Sequence, residues 1–491
     1  MPKLITGPFL GLEGETRYSI CFVTAHNAKT ATIQVSEHTL SAQTIATLPN
    51  GLFWRAEFNC PPNQMGQAHT YRIVIDAENA TSAHGDPHWQ FHVPAEQEKP
   101  RMAYTSCNGF SDLKLMNSTC DHYTLWDRLW TQHTEQPFSL MMMGGDQVYA
   151  DSIWSTVPTV KAWNTLPLKE KLQKKTNKAT EEQLDRFYSQ LYCERWQNPS
   201  MAKALASIPS LMMWDDHDIF DGWGSYPSAL QQCPMYTAIY TAAAKYFELF
   251  QLRGAHHNTA RIRSQNNTHY SLGVRFRGYT ILALDNRSER SIEHIMSPTH
   301  WADVGTFLQN TTQGHLLLMA GVPVVYRDFS FAEKTLDATP WEEELTDDLK
   351  DHWRAKAHQG ERAKLIMRLL NNAKTRTGKT VILSGDVHVG CLGIIQDKRS
   401  TPPINIHQLV SSGIVHPAPT ALQWAGVQAI TNDRPETLDE NGLIQINMLT
   451  AFGAGPYFRT RNYLTLQEGS DNKLWANWEC ENQEKPLYPL N

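Results

Sequence analysis

Acidic, phenolic and imidazole side chains follow short apolar runs at several points along this sequence. In the stretch 138–151, an apolar run at 138–143 and the pair Gly144-Gly145 are followed by Asp146 and Tyr149. A run of that length, ended by glycine, is typical of a strand buried on both faces. Three later stretches repeat the pattern, ending in Asp215, Asp216, His217 and Asp218 at 210–218, in Asp285, Asn286 and Arg287 at 279–287, and in Asp386 and His388 at 380–388. Because ligands bind at the carboxyl ends of strands in open α/β sheets, we expect these clusters to face one crevice.

One set of these side chains has the chemistry of a trivalent metal site. The set consists of Cys107, Asp146, Tyr149 and His388, which each end or follow an apolar run and offer a thiol, a carboxylate, a phenol and an imidazole. A phenolate is a hard, strongly donating ligand that suits a trivalent ion better than Zn²⁺, so the set indicates iron(III). The alternatives are ordinary: an aspartate after a strand can cap the next helix, a single cysteine can be a small buried apolar residue, and a tyrosine can simply pack.

A second set offers only oxygen: Asp216 and Asp386, with Asp146 shared between the two sites. Such a set favours a hard divalent ion, namely Ca²⁺, Mg²⁺ or Mn²⁺. Two ions bridged by a carboxylate are used to hydrolyse phosphate esters, because they lower the pKa of a bound water and stabilise the charge that develops. His217 is placed beside Asp216 to assist the leaving group, with Asp218 as its expected orienting partner. The alternative is a histidine satisfied inside an acidic loop.

The elements that must position these residues divide the sequence in two. Residues 1–98 contain short runs of branched and aromatic residues separated by Asn, Gly and Pro, which predicts a small all-β sandwich. From residue 99 to 491, apolar strands alternate with helical segments, which predicts an α/β catalytic domain. Buried strands are expected at 315–321, 406–413 and 444–450, and helices at 179–197, after the capping pairs Asn198-Pro199 and Ser297-Pro298, at 234–251 and at 346–373.

Composition and charge exclude several classes of protein. The chain has 491 residues, of which 41% are hydrophobic, and a formal charge of −6 from 44 basic and 50 acidic residues. No basic stripe is long enough to predict a stable nucleic-acid complex, although the lysine-rich stretch KEKLQKKTNK could attract anions. The eight cysteines are scattered without a Cys-x-x-Cys pair, no signal-length apolar run develops near the first residue, and no stretch reaches about 18 apolar residues. We therefore expect a cytoplasmic protein with reduced thiols and no transmembrane segment.

The ordered blocks GGDQVYAD, WDDHD and SGDVH resemble the metallophosphoesterase superfamily, and within it the alkaline phosphatase D (PhoD-type) family. Ser106-Cys107-Asn108, LDNRSER at 284–290 and QLVSSGIVHP at 408–417 agree with that resemblance. The resemblance implies a four-layer α/β/β/α catalytic domain preceded by the sandwich. It also implies a ligand set for each ion: Cys107, Asp146, Tyr149 and His388 around Fe³⁺, and Asp146, Asp216 and Asp386 around the second ion.

The sequence departs from the superfamily pattern at three positions. Asp216 stands where the superfamily has Asn, Asp386 stands where it has His, and Gly321-Val322-Pro323 stands where a further His is expected. Because carboxylates replace imidazoles, we expect a second ion of the Ca²⁺ or Mg²⁺ kind rather than Zn²⁺.

The resulting hypothesis is a phosphoric ester hydrolase in which a metal-bound hydroxide attacks phosphomonoesters, phosphodiesters or both. The substrate would be a small-molecule phosphate ester, a group that includes phospholipids and nucleotides. Its phosphate would be held by the fork of Arg287, for which the alternative role is an ion pair within the protein. Crevice walls are expected at 152–178, 219–233 and 327–345. A second hypothesis is a non-catalytic protein that binds phosphate esters or glycans and carries a structural metal centre, and neither hypothesis defines the oligomeric state.

Overall fold

Three β-sheets organise the part of the chain that the computed structural model describes, residues 1–262, 268–328, 352–482 and 484–490. The strands are β1 Thr6–Leu12, β2 Arg17–Thr24, β3 Ala31–Val35, β4 His38–Ser41, β5 Gln43–Leu48, β6 Gly51–Asn59, β7 Gln67–Ile75, β8 Glu78–Asn79, β9 Trp89–Val93, β10 Met102–Thr105, β11 Leu140–Gly144, β12 Ser210–Met213, β13 Leu272–Phe276, β14 Tyr279–Leu284, β15 His315–Ala320, β16 Thr380–Ser384, β17 Gly390–Asp397, β18 Ile404–Val410, β19 Glu436–Thr437, β20 Ile444–Leu449, β21 Tyr457–Phe458, β22 Asn462–Glu468, β23 Leu474–Cys480 and β24 Leu487–Leu490.

The helices lie mainly between the strands of the two larger sheets. They are α1 Leu113–Ser118, α2 Thr124–Glu135, α3 Ile153–Thr156, α4 Pro158–Asn164, α5 Leu168–Gln173, α6 Lys178–Trp196, α7 Pro199–Ser207, α8 Ser228–Gln231, α9 Pro234–Phe250, α10 Pro298–Asn310, α11 Gln359–Thr375 and α12 Ala421–Ile430, with a 3-10 turn at Asp216–Asp218. None of the described helices is both long enough and apolar enough to cross a membrane.

The two larger sheets are mixed, with parallel strands in their interiors. The first has ten strands in the order β24-β23-β22-β10-β11-β12-β1-β2-β6-β5, and β10, β11, β12 and β1 are parallel neighbours. The second has nine strands, ordered β13-β14-β15-β16-β18-β17-β20-β19 with β21 beside β17, and β14, β15, β16 and β18 are parallel. The predicted acidic and imidazole clusters follow β11, β12, β14 and β16. They therefore lie at the carboxyl ends of parallel strands, as the sequence predicts.

Alternate residues of the second sheet pack against different parts of the protein. Ile281 and Ala283 of β14 join the apolar cluster that also contains the interior strands of the first sheet. Leu282 and Leu284 join a second cluster with residues of α10 and α11. Strands β15 and β16 divide in the same way. This period of two means that one face of the second sheet is turned toward the first sheet and the other toward helices.

The N-terminal strands are shared between two sheets. The five-stranded sheet contains β4, β3, β7, β8 and β9, whereas β1, β2, β5 and β6 extend the first large sheet. The junction is the parallel pairing of β1 with β12, and Ser210 Oγ donates a hydrogen bond of 2.9 Å to the Leu10 carbonyl there. The division into residues 1–98 and 99–491 stays a prediction, and the sheet that continues across residue 98 argues against an independent first domain.

The capping signals predict the helix starts well. Asn198 accepts hydrogen bonds from the backbone N–H groups of Ser200 and Met201 at the start of α7, and Ser297 caps α10 through the N–H of His300. The helix predicted at 346–373 is wrong at its start, because α11 begins at Gln359 and residues 352–358 form turns without a side-chain cap. Residues 346–351 of that prediction, and residues 329–345 of the predicted crevice wall, lie outside the described residues.

Candidate metal centre

Backbone strain marks the strand ends at which the predicted ligands lie. The φ angle is positive at four of them: +48° at Cys107, +55° at Asp146, +66° at Asp386 and +52° at His388. This left-handed conformation costs a residue with a Cβ about 1–3 kcal/mol, and it persists where surrounding contacts hold it. These residues follow β10, β11 and β16, so the strained turns lie at the carboxyl edges of both large sheets.

Three buried carboxylates meet at this edge. Oxygen atoms of Asp146, Asp215 and Asp216 lie within 4.8 Å of one another. Burial, followed by repulsion from the neighbouring carboxylates, raises the pKa of Asp146 well above its usual range. Asp146 Oδ1 receives no hydrogen bond from any described residue. Because a buried cluster of like charges is costly without a cation, this donor set fits a hard metal ion.

Two glycines and an arginine position Asp215, which the sequence pattern does not assign as a ligand. A Cβ on Gly145 would lie 2.8 Å from the Cβ of Asp215, and one on Gly321 would lie 2.3 Å from its Oδ2. Arg287 Nε donates a hydrogen bond to Asp215 Oδ1. The space beside the Gly321 Cα is therefore filled by the Asp215 carboxylate.

The structure also brings together the predicted thiol, phenol and imidazole. Tyr149 Oη and His388 Nε2 are 3.4 Å apart. The backbone N–H of Asp386 donates to the Cys107 thiol, and burial, together with the charges of Asp146 and Asp386, raises the pKa of that thiol well above its usual range. Burial and the neighbouring His416 lower the pKa of His388 well below its usual value, so its imidazole is neutral. A neutral imidazole is the form that binds a metal.

His217 lies at the same site but is paired differently from the sequence prediction. Its Nδ1 is 2.8 Å from Asp151 Oδ2, and its ring stacks on Tyr149 with 4.2 Å between centroids. Burial alone would lower the pKa of His217, but the carboxylates of Asp151 and Asp216 outweigh burial and raise it well above its usual value. Its Nε2 is 3.9 Å from Asp221 Oδ1. The imidazole is therefore held in its protonated form by Asp151.

The expectation that Asp218 orients His217 is wrong. The two oxygens of Asp218 accept five hydrogen bonds of 2.8 to 3.1 Å, from the backbone N–H groups of Asp146, Gln147, Val148 and Asp215 and from Gln251 Nε2. Burial raises the pKa of Asp218 to about 7 in spite of these bonds. Asp218 thus ties the turn after β11 to the turn after β12, whereas Asp151 is the partner of the His217 imidazole.

Arg287 also has a different environment from the one expected for a phosphate ligand. Its side chain is fully buried, and besides Asp215 it contacts the Trp223 carbonyl through Nη1 at 3.1 Å and Asp216 Oδ1 through Nη2 at 3.4 Å. These contacts match the alternative role of Arg287, which is an ion pair within the protein. Its charge compensates part of the carboxylate cluster.

Asp386 has a less central position than the prediction gives it. It is half-buried, and no described group of three ligands that includes it meets the 4.8 Å distance shared by Asp146, Asp215 and Asp216. Its charge raises the pKa of the Cys107 thiol.

Sequence reasoning missed two further residues at the site, Asp151 and His416. The His416 ring stacks on His388 with 3.5 Å between centroids, and the backbone N–H of His416 donates to the Cys107 carbonyl at 3.1 Å. Burial lowers the pKa of His416 to about 3. A signal existed for both: Asp151 ends the block GGDQVYAD, and His416 is the penultimate residue of QLVSSGIVHP, a block that begins in β18, the strand parallel to β16.

Comparison with known proteins identifies a matching family and one curated relative. The PhoD-related phosphatase family matches residues 64–340 and 338–450 of the chain. An uncharacterized protein of Saccharomyces cerevisiae is 28% identical over 425 residues, which cover 73% of this chain and 58% of that protein. The chain thus spans 58% of the length of that relative.

Two solved structures are similar along almost the whole chain. The structure of PhoD has a TM-score of 0.59 and 13% identity, covering 99% of this chain and 89% of that one. A purple acid phosphatase from yellow lupin (Lupinus luteus) seeds covers 99% of this chain and 74% of its own at 10% identity, with a TM-score of 0.49 that is too low to support an argument. The likeness to PhoD shows that the two chains share an α/β fold, which in this chain contains mixed sheets. The chain belongs to the PhoD-related phosphatase family.

Proposed function

We propose that this protein hydrolyses phosphate esters at a two-metal centre built on Asp146. The observation that carries the proposal is the buried group of Asp146, Asp215 and Asp216, in which Asp146 Oδ1 receives no hydrogen bond from a described residue. Three carboxylates in such a place need a cation to remain charged. The family to which the chain belongs supplies the reaction class.

The residues present suggest which ions would be held. Cys107, Asp146, Tyr149 and His388 would hold Fe³⁺, and Asp146, Asp216 and Asp386 would hold Ca²⁺, or Mg²⁺ or Mn²⁺ in its place. Asp215 is a further candidate for the second ion, because its oxygen lies in the same group. When bound, such ions supply Lewis-acid activation of water and stabilise the negative charge that develops at phosphorus.

The remaining residues move a proton and hold the site in shape. His217, kept protonated by Asp151, donates a proton to the departing ester oxygen, which would otherwise leave as a basic alkoxide. Asp218 fixes the two acidic turns relative to each other, and Arg287 fixes the carboxylates of Asp215 and Asp216. Both roles are structural, since these groups contact protein atoms rather than the open side of the site.

The substrate class follows from the reaction. Small-molecule phosphomonoesters, phosphodiesters or both are proposed, with phospholipids and nucleotides among them.

The four-layer α/β/β/α arrangement is part of the same proposal, and the two apolar clusters on opposite faces of the second sheet support it. A cytoplasmic location is proposed as well, on the strength of the eight free cysteines.

Turnover and colour together test the proposal. Protein loaded with Fe³⁺ and Ca²⁺ is expected to hydrolyse p-nitrophenyl phosphate or bis(p-nitrophenyl) phosphate and to show a visible tyrosinate-to-iron band that Tyr149→Phe shifts or bleaches. The matched control is Tyr488→Phe, a tyrosine distant in sequence from every proposed ligand. A colourless protein that carries stoichiometric zinc and no iron would contradict the iron assignment, and metal-loaded protein without turnover would contradict the enzymatic one.

A further inference from the structure

One surface segment has a charge opposite to that of the protein as a whole. Residues 161–175, called the lysine segment below, contain five lysines and one glutamate, a formal charge of +4 in a chain of charge −6. The lysines are Lys161, Lys169, Lys171, Lys174 and Lys175, and all except the half-buried Lys171 are exposed. The segment begins within α4, contains all of α5 and includes the chain that follows each helix.

The lysine charges are not neutralised by nearby acids. Among the described residues, no carboxylate lies within 4.0 Å of Lys161, Lys169, Lys174 or Lys175, whereas Lys178, just beyond the segment, pairs with Glu182 at 3.9 Å. Lys171 is held over the Trp163 ring, 5.2 Å from its centroid, and donates to Asn164 Oδ1 at 2.9 Å. Four of the five ammonium groups are therefore available to an anionic surface.

An exposed leucine lies among these charges. Leu168, the first residue of α5, is 61% exposed and is followed directly by Lys169. The apolar anchor of the segment is Trp163 instead, which is 3% exposed and donates from Nε1 to the Lys171 carbonyl at 3.2 Å. Leu168 thus projects into solvent beside several cations, which is the combination that interfacial membrane segments use.

Aromatic contacts connect the lysine segment to the candidate metal centre. Trp163 packs on Trp154, with 6.4 Å between centroids, and Trp154 packs on Phe220 at 5.0 Å. Trp154 lies three residues after Asp151, and Phe220 lies three residues after His217. The segment is therefore attached to the same wall of the site that holds the Asp151–His217 pair.

We propose that the lysine segment docks the protein on an anionic phospholipid surface. Each lysine close to such a surface is worth about 1 kcal/mol, and an inserted apolar side chain adds to this. Nucleic acid is a poorer match, because the segment has no arginine to read phosphate bidentately and its one aromatic ring is buried rather than available to stack on bases. The proposal does not depend on catalysis, and a protein without turnover would still bind.

Co-sedimentation with vesicles of phosphatidylcholine, with and without phosphatidylserine, tests this docking. Wild-type protein is expected to bind only the vesicles that contain phosphatidylserine, and added NaCl should weaken the binding. The neutral set Lys169→Gln, Lys174→Gln and Lys175→Gln should reduce the partition coefficient about 100-fold, and charge reversal to Glu at the same positions should reduce it further. Leu168→Ala should reduce it roughly fivefold.

The matched control has the same net charge at distant exposed positions. Lys3→Glu, Lys29→Glu and Lys473→Glu should leave binding close to that of the wild type, and both triple variants should keep the wild-type Tm and turnover of p-nitrophenyl phosphate. Equal binding to both kinds of vesicle, full binding by the Lys169, Lys174 and Lys175 variants, or an equal loss in the control would overturn the proposal. Binding of a single-stranded oligonucleotide without binding to vesicles would assign the segment to nucleic acid instead.

Discussion

At the scale of single residues, one side chain is the proposed proton donor, and other side chains hold the turns of the site in place. His217 is charged because Asp151 and Asp216 stabilise its imidazolium against the effect of burial. Both oxygens of Asp218, the next residue, accept hydrogen bonds from backbone N–H groups and Gln251. Adjacent positions in the block WDDHD thus have unrelated tasks, and only the tertiary contacts distinguish them.

The proton-donor role of His217 predicts a dependence on the leaving group. His217→Ala should reduce kcat/KM by ~10²–10⁴-fold for an alkyl phosphate, with a clearly smaller loss for p-nitrophenyl phosphate, because p-nitrophenolate leaves without protonation. Metal content should not change. Asp151→Asn should show the same substrate pattern, because it removes the charge that keeps the imidazole protonated. Equal losses on both substrates would instead make His217 a phosphate-binding group.

The bracing role of Asp218 predicts a loss of stability. Asp218→Asn replaces one acceptor oxygen by an N–H₂ group that faces existing donors, so buried N–H groups lose their partners. We expect the free energy of unfolding to fall by about 3 kcal/mol, measured by urea denaturation. Asp151→Asn serves as the comparison, since it should reduce activity with a smaller change in stability. Unchanged stability of Asp218→Asn would show that the five hydrogen bonds do not brace the two turns.

At the scale of elements, the sequence predicts where these strands end but not which distant strands and turns lie beside them. Unalternated apolar runs ended by Gly or Asp gave β11, β12, β14 and β16 and hence the location of the site. The pairing of β1 with β12 joins residues about 200 positions apart and leaves no local signal. Asp151 and His416 stand in recognisable sequence blocks, but their roles depend on contacts with His217 and His388, which lie on other strand-end turns.

The turn after β15 gives a prediction of its own. Gly321→Ala would place a Cβ 2.3 Å from Asp215 Oδ2 and force this carboxylate away from Asp146 and Asp216. We expect kcat to fall by at least ~10-fold, with weaker binding of the second metal measured by titration. Gly360→Ala is the control, because a Cβ at this position in α11 meets nothing within 4 Å. Wild-type activity of Gly321→Ala would show that the position of Asp215 is unimportant for the reaction.

At the scale of the whole molecule, stability depends on the two large sheets and on the polar side chains buried inside the fold. His133 and His407 are buried and are not among the candidate site residues, and burial lowers the pKa of each to about 4. A histidine whose folded-state pKa lies below its unfolded value favours unfolding when it is protonated. These two histidines therefore destabilise the fold least above their unfolded-state pKa of about 6.5.

Protonation of these two histidines should consequently destabilise the protein in acid, whereas protonation of Asp218, whose pKa burial raises to about 7, has the opposite effect. The contribution of the two histidines to the free energy of unfolding is expected to fall as the pH drops from about 6.5 to about 4, by at most about 3 kcal/mol for each of them. The double variant His133→Gln and His407→Gln should flatten this part of the profile, measured by denaturation at successive pH values. His26→Gln, at an exposed position, should leave it unchanged. An identical slope in the double variant would exclude these two groups as its cause.

The most direct test of the two-metal centre is the metal content and turnover of Asp146→Asn. The variant keeps the shape of the side chain but removes the charge of the one residue proposed to contact both ions. We predict that occupancy of both metals falls and that kcat decreases by more than ~10³-fold, equivalent to about 4 kcal/mol of transition-state stabilisation. Asp471→Asn, an exposed change, should retain metal and activity. Full occupancy of both metals with unchanged kcat in Asp146→Asn would contradict the assignment of the centre.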